Sequence, residues 1–237
     1  MNERKIYAEQ WDMSAKFFYD QGYYSWLAQK VEKMHTVIEV GCGTGYSTLA
    51  LVEHGHRVIA IDKNHDCIVR AMKLLTDNGF TENNAIFIEG DIVEDTFRNH
   101  LTFTFDFDAV LCWNIGSYWS KSMIKFYLPY MLDYGLDRFQ ITQNPESSYS
   151  ELIIWETCQL AKQKQAAIHI VDRGSEFINE QNDPYYKTLK DEFGYKSIIY
   201  DNQKALSISE GGRILVTNGV LNRKKFIDIV LMSILIL

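Results

Sequence analysis

Short apolar runs alternate with amphipathic stretches along most of this chain. Each run is rich in Val, Ile, Leu or Phe, which is typical of a strand buried on both faces, and helical spacing of apolar residues follows it. The alternation, with roughly 25 residues per unit, predicts a parallel sheet with helices on both faces. The predicted strands are Thr36–Val40, Arg57–Ile61, Ala85–Glu89, Phe107–Cys112 and Arg138–Thr142, and the predicted helices include Tyr46–His54, His65–Asn78, Lys121–Tyr134 and Tyr149–Gln163.

The segment before the first strand has a different pattern. Aromatic residues recur near helical spacing over residues 5–34, and Gly22 interrupts them. This pattern predicts a pair of amphipathic helices that pack on the sheet. The same aromatic side chains are suited to close over a ligand, so we also expect the pair to act as a lid.

Beyond Ala166 the chain becomes rich in strand-like runs. A predicted helix, Pro184–Phe193, separates the first run from the others, and Gly211-Gly212 between the last two runs is a hairpin signal. We therefore expect an antiparallel hairpin to close an otherwise parallel sheet. The predicted runs are Ala166–Val171, Lys196–Tyr200, Ala205–Ser209 and Arg213–Thr217.

The chain ends in a strongly apolar run, Phe226 to Leu237. A transmembrane helix needs about 20 apolar residues, so this run is too short to span a bilayer. It is predicted to be a last strand or helix docked on the body. The alternative is packing against a partner chain, which would make the run the interface of a homodimer.

Composition limits the class of protein further. The length of 237 residues suits one α/β domain, and the net charge of −7 argues against extensive contact with nucleic acid. The four cysteines lie far apart, which predicts neither a zinc site nor disulfides but a reducing compartment. No signal peptide is recognisable, and we expect a cytoplasmic protein without a bound metal.

The chemistry is concentrated where the predicted strands end. Ligands of open parallel sheets bind beyond the carboxyl ends of the strands, and here those ends carry Gly41–Gly45, Asp62, Asp91 and Trp113-Asn114. A glycine-rich turn after the first strand and a carboxylate after the second are typical of a nucleoside site, because the carboxylate can accept hydrogen bonds from both ribose hydroxyls.

Two classes of nucleoside ligand compete for this site. A dinucleotide site would need a third glycine at position 46, where this chain has Tyr46. Glu39 lies just before the turn, and its carboxylate would repel a pyrophosphate but attract a ligand with an ammonium or sulfonium charge. The sequence therefore favours S-adenosylmethionine over NAD.

The stretch Glu39-Val-Gly41-Cys-Gly43-Thr-Gly45, with Asp62 and Asp91 at the next strand ends, resembles class I S-adenosylmethionine-dependent methyltransferases over about residues 31–142. The resemblance implies a doubly wound, mostly parallel seven-stranded sheet with an antiparallel last strand. It implies that the glycine turn, including Cys42, cradles the methionine part and that Asp62 holds the ribose. It also implies that Asp91 and Ile92 frame the adenine and that Trp113 and Asn114 lie beside the methyl group.

The same resemblance implies roles for neighbouring residues and for three parts of one domain. Lys63 is a further candidate for cofactor binding, and the N-terminal helices would cover the cofactor with Tyr7, Trp11, Tyr19 and Tyr23. The expected division is a lid (residues 1–34), a cofactor-binding core (35–165) and C-terminal strands with acceptor-side elements (166–237).

The methyl acceptor is less well defined by the sequence. Enzymes that methylate an amide or exocyclic nitrogen often have Asn/Asp-Pro-Pro-Tyr after the fourth strand, whereas here Asn114-Ile-Gly-Ser-Tyr118 lacks both prolines. We therefore favour in-line transfer to an oxygen or nitrogen of a small molecule. The alternatives are a protein or RNA methyltransferase, and a cofactor-binding module that acts through a partner chain.

Some acceptors need a general base, because a hydroxyl or ammonium group must lose a proton. Candidate bases are His169, Tyr23 and Tyr118. His169 alternates with Ile168 and Ile170, so it can equally be a surface or a hydrogen-bonded structural histidine. Glu146 and Glu151 can likewise be either solvated or catalytic.

Overall fold

The computed structural model describes residues 3–113, 119–183, 185–210, 213–214, 216–217, 220–221 and 226–237. Its main sheet has seven strands in the order β3-β2-β1-β4-β5-β7-β6. The strands are β1 (Thr36–Val40), β2 (Arg57–Asp62), β3 (Ala85–Glu89), β4 (Ala109–Trp113), β5 (Ala167–Gly174), β6 (Ile198–Ser207) and β7 (Ile227–Ile236).

Helices cover both faces of this sheet, and apolar clusters fill the space on each side. They are α1 (Glu3–Asp20), α2 (Tyr23–Lys30), α3 (Tyr46–Glu53), α4 (His65–Asp77), α5 (Asp95–Thr104), α6 (Ile124–Tyr134), α7 (Arg138–Gln143), α8 (Pro145–Lys164) and α9 (Tyr186–Glu192). The predicted α/β fold, with a doubly wound and mostly parallel sheet, is confirmed.

Strands β1 to β5 are parallel, and β1 lies in their centre. Val37 of β1 is in register with Val58 of β2 and with Ala109 of β4. Parallel strands that are buried on both faces carry continuous apolar runs, which is why these strands could be located from the sequence. Their carboxyl ends share one edge of the sheet, so the residues that follow β1, β2 and β3 are brought together.

The C-terminal run lies inside the sheet. Strand β7 pairs antiparallel with β5 on one side and with β6 on the other. Leu231 and Ile234 are fully buried in the chain's own core. The prediction of a last strand docked on the body is therefore confirmed. Both edges of this strand are paired within the chain, so the run has no free edge through which a homodimer could form.

The predicted strand Arg138–Thr142 is wrong. These residues form helix α7, whose first turn is capped by the Asp137 carboxylate accepting a hydrogen bond from the backbone N–H of Gln140 at 2.7 Å. Ile141 is buried, whereas Phe139 is exposed. The fifth parallel strand is instead β5, which the sequence placed at Ala166–Val171.

The remaining C-terminal predictions are partly correct. Lys196–Tyr200 and Ala205–Ser209 were expected as separate strands, but most of both runs belongs to the single strand β6. Ser209–Glu210 pairs antiparallel with Arg213–Ile214, as a hairpin there requires, while Gly211-Gly212 lies outside the described residues. The antiparallel closure of the main sheet comes from β7 and β6.

The N-terminal helices pack as expected for a helical pair. Gly22 takes a φ of 75° between α1 and α2, and α1 contacts α2, α3 and α4. Within the described part of the chain, no helix combines the length and the apolar character that crossing a membrane requires. No cluster of three or more His, Cys, Asp or Glu residues suited to a metal ion occurs among those residues either.

Candidate functional site

The glycine-rich turn after β1 is held against the end of β2. The backbone N–H groups of Gly41 and Cys42 both donate to the carbonyl oxygen of Ile61, at 2.8 and 2.9 Å. Gly43 has a φ of +54° and Gly45 a φ of +90°, which are left-handed conformations that favour glycine. The turn therefore presents backbone rather than side chains toward the edge of the sheet.

Asp62, at the end of β2, is bonded to this turn. One carboxylate oxygen accepts from the backbone N–H of Gly43 at 2.9 Å, and the other accepts from that of Asn64 at 2.8 Å. Burial raises the pKa of Asp62, while the N–H donors of Asn64 and Gly43 oppose that rise. A carboxylate has about four acceptor positions, so Asp62 retains capacity to accept hydrogen bonds from a ligand.

A cavity with about 60 Å³ of free space opens beside the turn. This free space is smaller than the roughly 300–1,000 Å³ of typical small-ligand sites, and Tyr7 and Trp11 of α1 are part of its wall. The wall contains predicted cofactor-binding residues from four segments of the chain. They are Tyr7, Trp11, Gly41, Gly43, Asp62, Lys63, Asp91 and Ile92.

The cavity also has a wall that the sequence did not reveal. Tyr149 and Ile153, one turn apart on α8, line it, as does Asn64. The Nζ of Lys63 donates to the hydroxyl of Tyr149 at 2.5 Å and to that of Tyr127 at 3.1 Å. Nothing near Tyr149 or Ile153 in the sequence distinguishes these residues from ordinary core positions of an amphipathic helix.

Asp91 and Lys63 belong to one hydrogen-bonded network. The Tyr127 hydroxyl, which accepts from Lys63, donates to Oδ2 of Asp91, and the other carboxylate oxygen accepts from the backbone N–H of Val93 at 3.2 Å. Burial lowers the pKa of Lys63 to about 8, against the opposing charges of Asp91 and Asp62. This network holds the Asp91 carboxylate at the end of β3, in the wall of the cavity.

Helix α1 covers the glycine turn. The rings of Tyr7 and Trp11 are parallel, with centroids 6.4 Å apart, and the indole lies so close to Gly43 that a Cβ there would approach its Nε1 to 2.1 Å. The side chain of Asn64 donates to the carbonyl oxygen of Arg4 at 3.1 Å. Both contacts place the first half of α1 over the edge of the sheet, as a lid requires.

Glu39 does not line the cavity. Its side chain is buried beneath the turn, where Oε2 accepts from the hydroxyl of Thr48 at 2.5 Å. Burial raises the pKa of Glu39 to about 7, against hydrogen bonds from Ser47 and Thr48. The expected direct contact with the cofactor is therefore replaced by a structural position at the N-terminal turn of α3, where a carboxylate is favoured.

Other predicted cofactor contacts lie away from the cavity wall. Cys42 is buried behind the turn, and Gly45 packs against Ala71 of α4. Tyr19 donates to Glu53 at 2.7 Å near the far end of α1, and Trp113 is buried in the core. The predictions of direct contact for these four residues are corrected, while Asn114 lies outside the described residues.

The structure also contradicts two of the three candidate bases. His169 is fully buried on β5, where its Nδ1 accepts from the indole Nε1–H of Trp113 at 2.9 Å and its Nε2–H donates to Ser233 at 2.8 Å. The hydroxyl of Tyr23 accepts from the backbone N–H of Leu206 at 2.9 Å. Both residues therefore hold the core together and lie where no acceptor can reach, while Tyr118 lies outside the described residues.

The buried imidazole should make stability depend on pH. Burial lowers the pKa of His169 to about 3, so between its unfolded value of 6.5 and that value only the unfolded chain binds the proton. Stability contributed by the neutral ring is lost as the pH falls below about 6.5. The measured quantity is the free energy of unfolding of the wild type minus that of His169→Gln. We expect this difference to fall by about 2 kcal/mol between pH 7 and pH 5.

Urea denaturation of both proteins at several pH values measures this difference. Buried Glu39, whose raised pKa gives the opposite pH dependence, is present in both proteins and cancels in the comparison. A difference between the two proteins that stays constant from pH 7 to 5 would contradict the structural role assigned to His169.

The sheet order, the glycine turn and the acidic strand ends together define the fold of class I S-adenosylmethionine-dependent methyltransferases. Residues 37–130 match the model of the methyltransferase domain family. The matched stretch makes up 94 of the chain's 237 residues.

Individual proteins are similar to this chain in part of the sequence or in the fold. The cypemycin N-terminal methyltransferase of a Streptomyces species is 37% identical over 75 residues, which make up 32% of this chain and only about a quarter (26%) of that protein. A structure from work on the conversion of a disulfide bond into a thioacetal group during echinomycin biosynthesis covers 90% of this chain and 80% of its own, with a TM-score of 0.51 and 16% identity. The methyltransferase domain of bacterial CtHen1 has a TM-score of 0.50 and 11% identity, and it covers 93% of this chain and 98% of its own. At these identities the two structures support the fold alone.

Proposed function

We propose that this chain is an S-adenosylmethionine-dependent methyltransferase that transfers the methyl group to an oxygen or nitrogen of a small molecule. One observation carries the proposal: a half-buried carboxylate, Asp62, lies in the wall of a cavity and is bonded to the backbone of the glycine turn at Gly43. This arrangement supplies hydrogen-bond acceptors for a ribose beside a backbone surface that a ligand can approach closely.

The residues in the cavity fit the cofactor. In the proposed complex Gly41 and Gly43 contact the methionine part, and Asp62 accepts hydrogen bonds from the ribose hydroxyls. Asp91 and Ile92 frame the adenine, with Lys63 holding the Asp91 network in place. The ionised side chains of the wall, two Asp and one Lys, leave a net negative charge, which suits a sulfonium cation.

When bound, S-adenosylmethionine supplies an electrophilic methyl group, and the protein's main contribution is to align the acceptor with it. The three parts of the chain have different proposed roles in this alignment. Tyr7 and Trp11 exclude water from the cavity, within the proposed lid of residues 1–34. Residues 35–165 hold the cofactor, and residues 166–237 complete the sheet on the acceptor side.

A nitrogen acceptor is favoured by one of the similar proteins. The Streptomyces relative is described as an N-terminal methyltransferase, so the group that it methylates is at an amino terminus. The chain's negative charge makes an RNA acceptor less suitable than a small molecule. The four free, buried cysteines suit a reducing compartment, and we propose the cytoplasm as the location.

Transfer of a labelled methyl group tests the activity and the class of acceptor together. The chain is incubated with methyl-labelled S-adenosylmethionine and with separate small-molecule, protein and RNA fractions of a cell extract. We expect label in the small-molecule fraction only, and less of it with Asp62→Ala at a cofactor concentration that does not saturate the site. Label confined to protein or RNA would support those alternatives, and cofactor binding without transfer would support a binding module.

A further inference from the structure

A second cavity adjoins the candidate cofactor site. It lies between the start of α1 and the segment before α6, with a volume of about 490 Å³, and its wall includes Tyr7, Gln10, Trp119 and Lys121. Tyr7 lines this cavity and the cofactor cavity as well. A molecule bound in the second cavity would therefore lie one aromatic ring away from the proposed cofactor.

A third cavity continues from the second at Trp119, which lines both. Its volume is about 460 Å³, and the start of α8 forms its far wall. We call these two spaces together the Trp119 groove. Their volumes are of the order that small-ligand sites occupy, about 300–1,000 Å³, so a molecule of several residues can be accommodated.

The walls of the Trp119 groove are polar, apart from the aromatic rings, Ile6 and Pro145. Side-chain amides and hydroxyls from opposite walls face the space, and they can both donate and accept hydrogen bonds. Such a lining is suited to amide groups of a ligand rather than to phosphates. The polar residues include Gln10, Ser120, Gln143, Asn144, Ser147 and Ser150.

The charges of the groove favour a cation beside Glu146. Glu3 and Lys121 lie in the second cavity, and Glu146 lies in the third. Glu146 lies one helical turn before Tyr149 on α8, and Tyr149 lines the cofactor cavity. The Glu146 carboxylate therefore lies on the part of α8 that leads from the groove to the cofactor cavity.

We propose that the Trp119 groove binds the methyl acceptor, and that this acceptor presents an amine, at the amino terminus of a short peptide-like molecule, to Glu146. The inference rests on the proposed methyltransferase function and narrows its acceptor. Trp119 supplies the apolar face along the molecule, and a cation beside an indole and a carboxylate is stabilised by both.

Methyl transfer to the amine needs no co-reactant other than the cofactor. The ammonium group first gives a proton to water or to the Glu146 carboxylate. The free nitrogen lone pair then forms a bond to the methyl carbon while the carbon–sulfur bond breaks, and its electron pair stays on sulfur. The products are S-adenosylhomocysteine and a methylated ammonium, and one proton is released overall.

Matched probes and matched variants test this proposal. The probes are trialanine, N-acetyl-trialanine and the analogue with a hydroxyl in place of the amine. The variants are Glu146→Gln and, as a control, Glu151→Gln on the same helix, whose carboxylate is bonded to Tyr134 and Gln140, each at 3.1 Å. Methyl transfer from S-adenosylmethionine and calorimetric binding of S-adenosylhomocysteine are measured for each protein, with thermal unfolding to check the fold.

We expect the wild type to methylate trialanine alone among the probes. Glu146→Gln should lower kcat/KM by about tenfold, chiefly through KM, and leave S-adenosylhomocysteine binding unchanged, while Glu151→Gln should change neither. If S-adenosylhomocysteine binds but trialanine is not methylated, or if the two variants behave alike, the amine assignment is overturned. If S-adenosylhomocysteine does not bind the wild type, the proposed function itself fails.

Discussion

Gly45→Ala is expected to lower the free energy of unfolding by about 2–5 kcal/mol. Gly45 has a φ of +90°, which costs a residue with a side chain about 1–2 kcal/mol. A Cβ at this position would also lie 2.7 Å from the Cβ and 2.8 Å from the Cα of Ala71. Because the second atom is helix backbone, α3 and α4 must move apart to relieve the overlap, which adds to the loss.

Gly55→Ala is the matched control for this prediction. Gly55 has nearly the same φ, +88°, but a Cβ there would meet nothing within 4 Å. Its substitution should cost only the conformational part, about 1–2 kcal/mol. Guanidinium denaturation of the three proteins measures both losses, and equal losses would show that the contact of Gly45 with Ala71 carries no penalty.

Asp62→Ala is expected to weaken the binding of S-adenosylhomocysteine by about 1–3 kcal/mol, or roughly 5- to 150-fold. The proposed hydrogen bonds to the ribose are lost, and the backbone N–H groups of Gly43 and Asn64 lose their acceptor. The turn is therefore less well held in the shape that a ligand needs. Calorimetric titration of the variant and the wild type measures the change.

Glu89→Ala provides the control for Asp62. Glu89 ends β3 as Asp62 ends β2, and the two residues are in register. Its carboxylate instead accepts from His65 at 2.8 Å, and it does not line the cofactor cavity. We expect Glu89→Ala to leave the affinity nearly unchanged, and an unchanged affinity in Asp62→Ala would refute the ribose role.

The parallel half of the sheet was predictable because its signal is local. Thr36–Val40 and Ala85–Glu89 were located to the residue, since continuous apolar runs bounded by glycines or charges are typical of buried strands. Arg138–Thr142 failed for a local reason too. Its alternation of polar and apolar residues resembles that of a strand. Asp137, followed by Gln140 three residues later, is however a helix-capping signal, and a helix forms.

The C-terminal pairing could not be predicted because it is set by distant contacts. Insertion of β7 between β5 and β6 depends on which edges the other strands leave open. His169 shows the same limit. On a sheet covered on both faces, alternation does not mark a solvent-facing side, so a buried histidine bonded to Trp113 looks like an exposed one in the sequence.

Site residues that directly follow a strand could be predicted from the sequence. Site residues that lie on helices were predicted less well. Tyr7 and Trp11 are one turn apart and share a face over the turn. Tyr19 is 12 residues beyond Tyr7, about 18 Å along the helix, which places it past the edge of the cavity. Tyr149 was missed because the approach of α8 to the cavity is a tertiary contact.

Calorimetric titration of the unmodified chain with S-adenosylhomocysteine, and separately with NAD, tests the central claim most directly. The glycine turn, Asp62 and Asp91 predict a single site for S-adenosylhomocysteine with a dissociation constant in the micromolar range. They predict no measurable heat with NAD, because the negative wall of the cavity disfavours a pyrophosphate. Binding of NAD without binding of S-adenosylhomocysteine would contradict the assignment of this cavity.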